Sequence, residues 1–144
     1  MSRMGSKRVR EMKLRVVSSK DEIDGLSGNE QMIHLAFRAS NVDIFRLLQI
    51  CPQVRAIQLP VSYRRTVSQA GEMFLKIQGV ELIEGDLLGH RKDLNEYFII
   101  DEGIMRRIDS MISNGWALED VVSAIVGDTK MSADLVSYVI RMIN

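Results

Sequence analysis

The chain has 144 residues, 46% of them hydrophobic and 26% charged, a balance that belongs to a folded globular protein rather than a disordered one. Nineteen basic residues offset nineteen acidic ones, so the formal net charge is zero and the general electrostatic case for coating nucleic acid is removed. Cys51 is the single cysteine, which excludes an intrachain disulfide and a cysteine-based zinc site, and no apolar run approaches the ~18 residues that span a bilayer.

Residues 1–11, MSRMGSKRVRE, are basic and lack apolar periodicity. They read as a flexible tail, with a nucleic-acid-binding arm as the sharper alternative. Over residues 1–20 seven basic side chains face Glu11 alone, a net of +6. Lys13–Val17 is the first predicted strand. Ser19 and Glu22 have the spacing of a capping box that opens a short helix, ended by the Gly25 to Gly28 turn. The stretch Gln31–Pro60 then gives strand, helix and strand in sequence. Met32–Arg38 is apolar and strand-like, Ser40 and Asp43 form a second capping box, and Ile44, Leu47, Leu48 and Cys51 line one face of the helix that Pro52 ends. Cys51 on that face reads as a small buried hydrophobe. Val54–Leu59 is the third strand. A longer helix is predicted from Ser62–Arg65 to Gln78, with Gly79 terminating it in the left-handed conformation. Val80–Ile83 is the fourth strand, and Tyr97–Ile100 is a short extra strand or a buried link.

From Asp101 the apolar period becomes helical throughout. Ile104, Ile108, Met111 and Ile112 make one stripe, ended by Asn114-Gly115. Leu118, Val121, Val122 and Ile125 make a second, and Leu135, Val136, Val139, Ile140 and Ile143 a third that Ser132 caps. The expected organisation is a tail at 1–11, an α/β domain at 12–100 and a three-helix segment at 101–144. The expected sheet is small, mostly parallel and four-stranded, built from βαβ units in a Rossmann-like or leucine-rich-repeat-like manner. A repeat is hinted at by spacing. Ile33-His34-Leu35 and Ile57-Gln58-Leu59 lie 24 residues apart, with Leu82 a further 25 on. The asparagine ladder of leucine-rich repeats is missing, which favours an ordinary α/β sheet.

The strings MKLRVVSSKDEID, NEQMIHLAFRASN, CPQVRAIQLP and GHRKDLNEYF together resemble a family of small archaeal proteins, chiefly from methanogens, described only as a domain of unknown function. The resemblance covers nearly all of residues 12–144 and leaves 1–11 outside. It rests on long strings rather than on a catalytic motif, and it implies no activity, substrate or cofactor.

In open parallel sheets ligands bind beyond the carboxyl ends of the strands. Those ends offer Ser18, Ser19 and Lys20; Arg38 and Ser40; Ser62, Tyr63, Arg64 and Arg65; and Glu84, Asp86, His90, Arg91 and Lys92. Several combine a basic residue with a predicted helix start, which suits an anion. Ser18, Arg38, Ser40, Tyr63, Arg64, Arg65, His90 and Arg91 are therefore the candidate edge for a phosphorylated or carboxylated ligand. The plainer alternative is capping serines and solvated arginines. Neither GxGxxG after a strand nor GxxxxGK[ST] is present, and no metal or cofactor is expected. His34 lies within a strand and reads as a hydrogen-bonded structural residue. His90, beside Glu84, Asp86 and Asp93, is the one candidate base or metal ligand.

The final helices have the outline of a helix-turn-helix, in which Ser132, Ser137 and Arg141 would face DNA. Against this, residues 101–144 carry four basic and seven acidic side chains, a net of −3. Three functions remain open. The leading one is a cytoplasmic regulatory or interaction protein rather than an enzyme, binding a protein partner or a second copy of itself and no membrane. The second is a DNA-binding regulator, and the third a small enzyme or binding protein for an anionic small molecule.

Overall fold

The computed structural model describes residues 10–143. The basic tail expected over residues 1–11 lies, apart from Arg10 and Glu11, outside the described residues. The elements in chain order are β1 (Met12–Val17), a 3₁₀ turn (Lys20–Gly25), β2 (Met32–Leu35), α1 (Asn41–Ile50), β3 (Ala56–Leu59), α2 (Val61–Arg64), α3 (Gln69–Ile77), β4 (Glu81–Glu84), β5 (Tyr97–Ile100), α4 (Glu102–Ser113), α5 (Leu118–Asp128) and α6 (Ala133–Ile143). The chain divides into two compact units. Among the described residues one is Leu14–Phe98; the other comprises residues 99–143 together with 10–13.

Local chemistry decides where the helices begin. At α1 the Asp43 backbone N–H donates to Ser40 Oγ at 3.2 Å, and the Ser40 N–H donates to Asp43 Oδ2 at 2.9 Å, so both halves of the predicted capping box form. The equivalent pair at Ser19 does not form. There the Glu22 N–H donates to the Ser19 backbone carbonyl at 3.1 Å, leaving the hydroxyl out of the cap, and the segment winds only into a six-residue 3₁₀ turn. So short a stretch gains too few hydrogen bonds to repay helix nucleation. The single helix predicted over Ser62–Gln78 is two helices. The Thr66 hydroxyl donates to the Tyr63 carbonyl at 2.8 Å, and Ser68 starts afresh as a cap that accepts from the Gly71 N–H at 3.0 Å. Gly79 does close α3, at φ +77°.

The sheet has five strands in the order β4-β3-β2-β1-β5, one more than expected, because Tyr97–Ile100 joins it beside β1. Strands β1 to β4 are all parallel, and the repeat spacing proves to be a matter of register. Ile33 lies opposite Ile57, which lies opposite Leu82, so each 24- or 25-residue step returns the chain to the same rung. From β1 to β4 consecutive strands are neighbours, and the helices between them gather on one face. Val17, Ile33, Leu35, Ile57 and Leu59 point into a core shared with Ile23 and Leu26, with Ile44, Leu47 and Cys51 of the α1 segment, and with Leu75 of α3. Crossovers of one hand between successive neighbours produce this single winding. Truncating a fully buried member such as Leu47 to alanine costs about 2–5 kcal/mol. Cys51 is fully buried there, as its helical position predicted.

The opposite face carries the row Val16, His34, Gln58 and Ile83, one residue from each parallel strand and all buried. In the second unit α4, α5 and α6 touch pairwise. Their buried positions are Met105, Ile108 and Met111; Val121 and Ile125; and Leu135, Val136, Tyr138, Val139 and Ile140. Asp101 caps α4 by accepting from the Ile104 N–H at 2.8 Å, and Gly115 ends its turn at φ +85°.

Candidate functional site

Because β1 to β4 are parallel, the segments after Val17, Leu35, Leu59 and Glu84 leave the sheet at one edge. What the candidate side chains do at that edge differs from residue to residue. Arg38 and Tyr63 come together, with the guanidinium 5.3 Å from the ring centroid. Arg64 forms an ion pair with Glu72 across the α2–α3 corner. Arg91 is held by its near neighbour Asp93, in two bonds of 3.0 and 2.7 Å. The Ser40 hydroxyl is committed to its cap. Ser18 and Arg65 are exposed. A cleft of about 280 Å³ is lined by Arg64, Glu72, Leu75 and β4 residues, and one of about 360 Å³ lies around Gln31, Pro52, Arg55 and Gly79. Neither joins Arg38, Arg65 and His90.

The strand order explains part of this. A crevice opens in a parallel sheet where the winding reverses; from β1 to β4 it never does, and the chain turns back only in passing from β4 to β5 on the far side of β1. Residues 85–96 connect β4, at one edge of the sheet, to β5, at the other, and this segment uses the residues that sequence reasoning set aside as chemical. His90 Nε2 is 2.8 Å from the Asn95 carbonyl, its backbone N–H donates to the Leu87 carbonyl at 3.0 Å, and its ring meets Phe98 edge-on. Lys92 Nζ lies 3.0 Å from Glu22 Oε1, tying the segment to the 3₁₀ turn after β1. Among the described residues no group of three or more His, Cys, Asp or Glu side chains is placed to hold a metal ion.

Two buried polar arrangements complete this unit. Gln58 Nε2 donates to His34 Nδ1 at 2.9 Å, between adjacent strands in the middle of the sheet. Burial lowers the His34 pKa to about 4; the Asp86 carboxylate opposes that change and His90 adds to it. The imidazole is therefore neutral at pH 7, the structural role its strand position predicted. The second arrangement was not anticipated. Buried Glu30 accepts from the Tyr97 hydroxyl at 2.7 Å and faces Arg15 at 3.7 Å, and Arg15 also reaches Glu96 at 3.4 Å. Its one sequence signal is Arg15 itself, a cation inside KLRVV on the same side of the strand as core residue Val17. Cys51 lies in the same region. Burial, with the Glu30 carboxylate assisting, raises its thiol pKa to about 11, and Sγ donates to the Ser27 carbonyl at 3.3 Å.

In the helical unit, α5 and α6 are separated by Thr129–Ser132. The Thr129 hydroxyl donates to the Ile125 carbonyl at 2.7 Å and accepts from the Met131 N–H at 3.1 Å, and Ser132 Oγ accepts from the Leu135 N–H at 3.1 Å. Helix, four-residue turn and capped helix is the helix-turn-helix outline. Residues 13–96 match the model of the N-terminal domain of a family of unknown function, DUF1699, and residues 103–141 match that family's C-terminal HTH domain. The chain belongs to the DUF1699 family. No curated protein and no solved structure matches it. Leu135, Val136, Tyr138, Val139 and Ile140 of α6 are buried, and its exposed positions are Ala133, Asp134, Arg141 and Met142, with Ser137 half-buried. Of the residues predicted to face DNA, Ser132 serves as the cap, Ser137 is half-buried, and Arg141 is exposed with its guanidinium 5.8 Å from the Tyr138 ring centroid. No helix among the described residues is long and apolar enough to cross a membrane.

Proposed function

We propose that this DUF1699 protein is a cytoplasmic regulatory or interaction protein whose helical unit docks a protein partner. The observation that carries this is the character of the unit's solvent-facing surface, which joins large apolar side chains to acidic ones. Trp116, Leu118 and Val126 are 47%, 56% and 36% exposed. Leu118, Val122 and Val126 follow one another along α5 at intervals of four, with Glu119 beside them. Apolar side chains at helical spacing, left in water at the rim of a packed bundle, are what helix-groove recognition uses. The test is co-purification from nuclease-treated extract. A stoichiometric protein partner retained by the native chain and lost on Leu118→Glu, a change at the exposed first residue of α5, is the expected result. A partner retained by that variant and by Trp116→Gln removes this surface from consideration.

DNA binding is the second proposal, supported by the family's HTH domain and by the α5–turn–α6 outline. Charge weighs against it. The outward side of α6 offers one cation and one anion, Arg107 is paired with Asp128 at 2.6 Å, and residues 101–144 sum to −3. Phosphate neutralisation by Lys and Arg supplies most non-specific affinity, and it weakens 10³- to 10⁵-fold between about 50 and 200 mM salt for a protein with several contacts. Fluorescence anisotropy with a mixed-sequence duplex is expected to show no salt-sensitive binding. Salt-sensitive binding lost on deleting residues 117–144 would establish the DNA reading.

An anionic ligand at the carboxyl edge of the sheet is the third proposal. Arg38 supports it, an exposed cation stacked on Tyr63 rather than paired with a carboxylate. Thermal stabilisation by a phosphorylated metabolite, abolished in Arg38→Ala and Arg65→Ala, would support it. The absence of any change in Tm across a metabolite panel would end it.

A further inference from the structure

β4 ends the sheet on one side: β3 flanks it, and among the described residues no strand lies on its other edge. The Glu81 N–H donates to the Arg55 carbonyl at 2.9 Å and the Gly85 N–H to the Leu59 carbonyl at 3.1 Å, so these positions turn their backbone toward β3. Alternate residues of a parallel strand bond to opposite sides. Leu82, opposite Ile57 in the register, therefore directs its N–H and C=O to the open edge. Such an edge is a template for another extended chain.

The edge borders a groove. The cleft of about 280 Å³ lies between α3 and β4, where Leu75 and Val80 are buried and Leu82 is half-buried. The Val80 N–H donates to the Leu75 carbonyl at 2.8 Å, which fixes the end of α3 against the start of β4 and holds the groove in shape. Of its charged borders, Arg64 and Glu72 pair with each other, and Glu81 stands at a strand position that, like Ile83, faces away from α3. That leaves Lys76, exposed in the last turn of α3 and in no ion pair, as the charge an added strand would meet.

β4 itself carries the side chains that this groove calls for. In an antiparallel pair, directly opposed residues point to the same side of the sheet, and so do their neighbours two positions along. With Leu82 opposite the Leu82 of a second copy, each exchanges both backbone bonds with the other. The Glu84 of each copy then falls opposite the Val80 of the other, on the α3 side beside Lys76. Glu81 lies opposite Ile83, so no two carboxylates are directly opposed. We propose that a second copy of this chain pairs through β4, forming one antiparallel seam between two five-stranded sheets with reciprocal Glu84–Lys76 ion pairs at its ends. Two-fold symmetry satisfies the open edge of both copies at once. The seam lies in the α/β unit and stands independently of the partner surface assigned to the helical unit.

Sedimentation equilibrium on the full chain tests the seam. The native protein is expected at twice its 16.3 kDa mass. Lys76→Glu alone and Glu84→Lys alone each set like charges against one another and are expected at the monomer mass. The two together restore opposite charges and are expected to restore the dimer. Leu82→Pro, which removes an N–H that bonds nothing in the β3 ladder, is expected to be monomeric with native circular dichroism. Amide hydrogen exchange reads the same bond without a substitution, because protection of Leu82 should grow with protein concentration. A native chain that is monomeric at about 100 μM, above the micromolar constants of weak interfaces, overturns the proposal. So does a dimer that survives Leu82→Pro, or a charge exchange that leaves the protein monomeric. Leu82 protection in a monomeric chain means that another segment covers the edge, and it overturns the proposal too.

Discussion

His34 and Cys51 show how burial sets chemistry one side chain at a time. His34 has a native pKa of about 4 against an ordinary value of 6.5. Between those values the unfolded chain binds a proton that the native chain refuses, so stability falls as pH falls through that window. A pKa difference of one corresponds to about 1.4 kcal/mol, so the loss between pH 7 and pH 4 is roughly 3 kcal/mol. Urea titrations across that range should show this slope in the native chain and its removal in His34→Leu. That variant should start lower at pH 7, because it withdraws the imidazole from the buried Gln58 amide. An unchanged slope would contradict the assignment. Cys51, with its thiol raised to about 11, remains protonated at neutral pH. It should react with a thiol reagent only as fast as the domain opens, and immediate stoichiometric labelling would refute its burial.

Among the elements, hydrogen bonds separate two serines that look alike in the sequence. Ser19 and Ser40 each stand three residues before an acid, yet only Ser40 completes its box. Ser40→Ala should cost about 1 kcal/mol in equilibrium unfolding and Ser19→Ala close to nothing. Equal costs would mean that the 3₁₀ turn is capped after all. The α5 N-cap is Ala117, whose extended backbone suits a capping residue but whose side chain cannot accept a bond. Ala117→Ser should therefore stabilise the chain by about 0.5–1 kcal/mol. The strong periodicities were legible in the sequence: the α1 stripe, the first and third C-terminal stripes and the Gly79 stop appear where they were expected, whereas Leu118 of the second stripe is exposed. The break at Arg65–Ser68 was not. It depends on the Thr66 hydroxyl turning back to a carbonyl, a choice that apolar spacing does not encode.

For the molecule as a whole, the interval of 24 or 25 residues carried more information than any motif. It places Ile33, Ile57 and Leu82 on one rung, and with it β1 to β4 wind in a single direction. That winding supplies a common carboxyl edge with no reversal between β1 and β4, and at that edge residues chosen for an anion site are found paired as Arg64–Glu72 and Arg91–Asp93. A cation near a strand end announces itself in sequence, whereas the carboxylate that neutralises it comes from another element. The helical unit shows the converse. Its helix-turn-helix outline was legible from spacing, while the inward commitment of α6 emerges only from packing. If α5 rather than α6 is the recognition surface, a photo-crosslinking amino acid placed at Leu118 or at Ser137 of the full chain in cells will distinguish them by its adducts. A discrete protein adduct from position 118 and none from position 137 is the expected result. Nucleic-acid adducts from position 137, with no protein adduct from position 118, would contradict it.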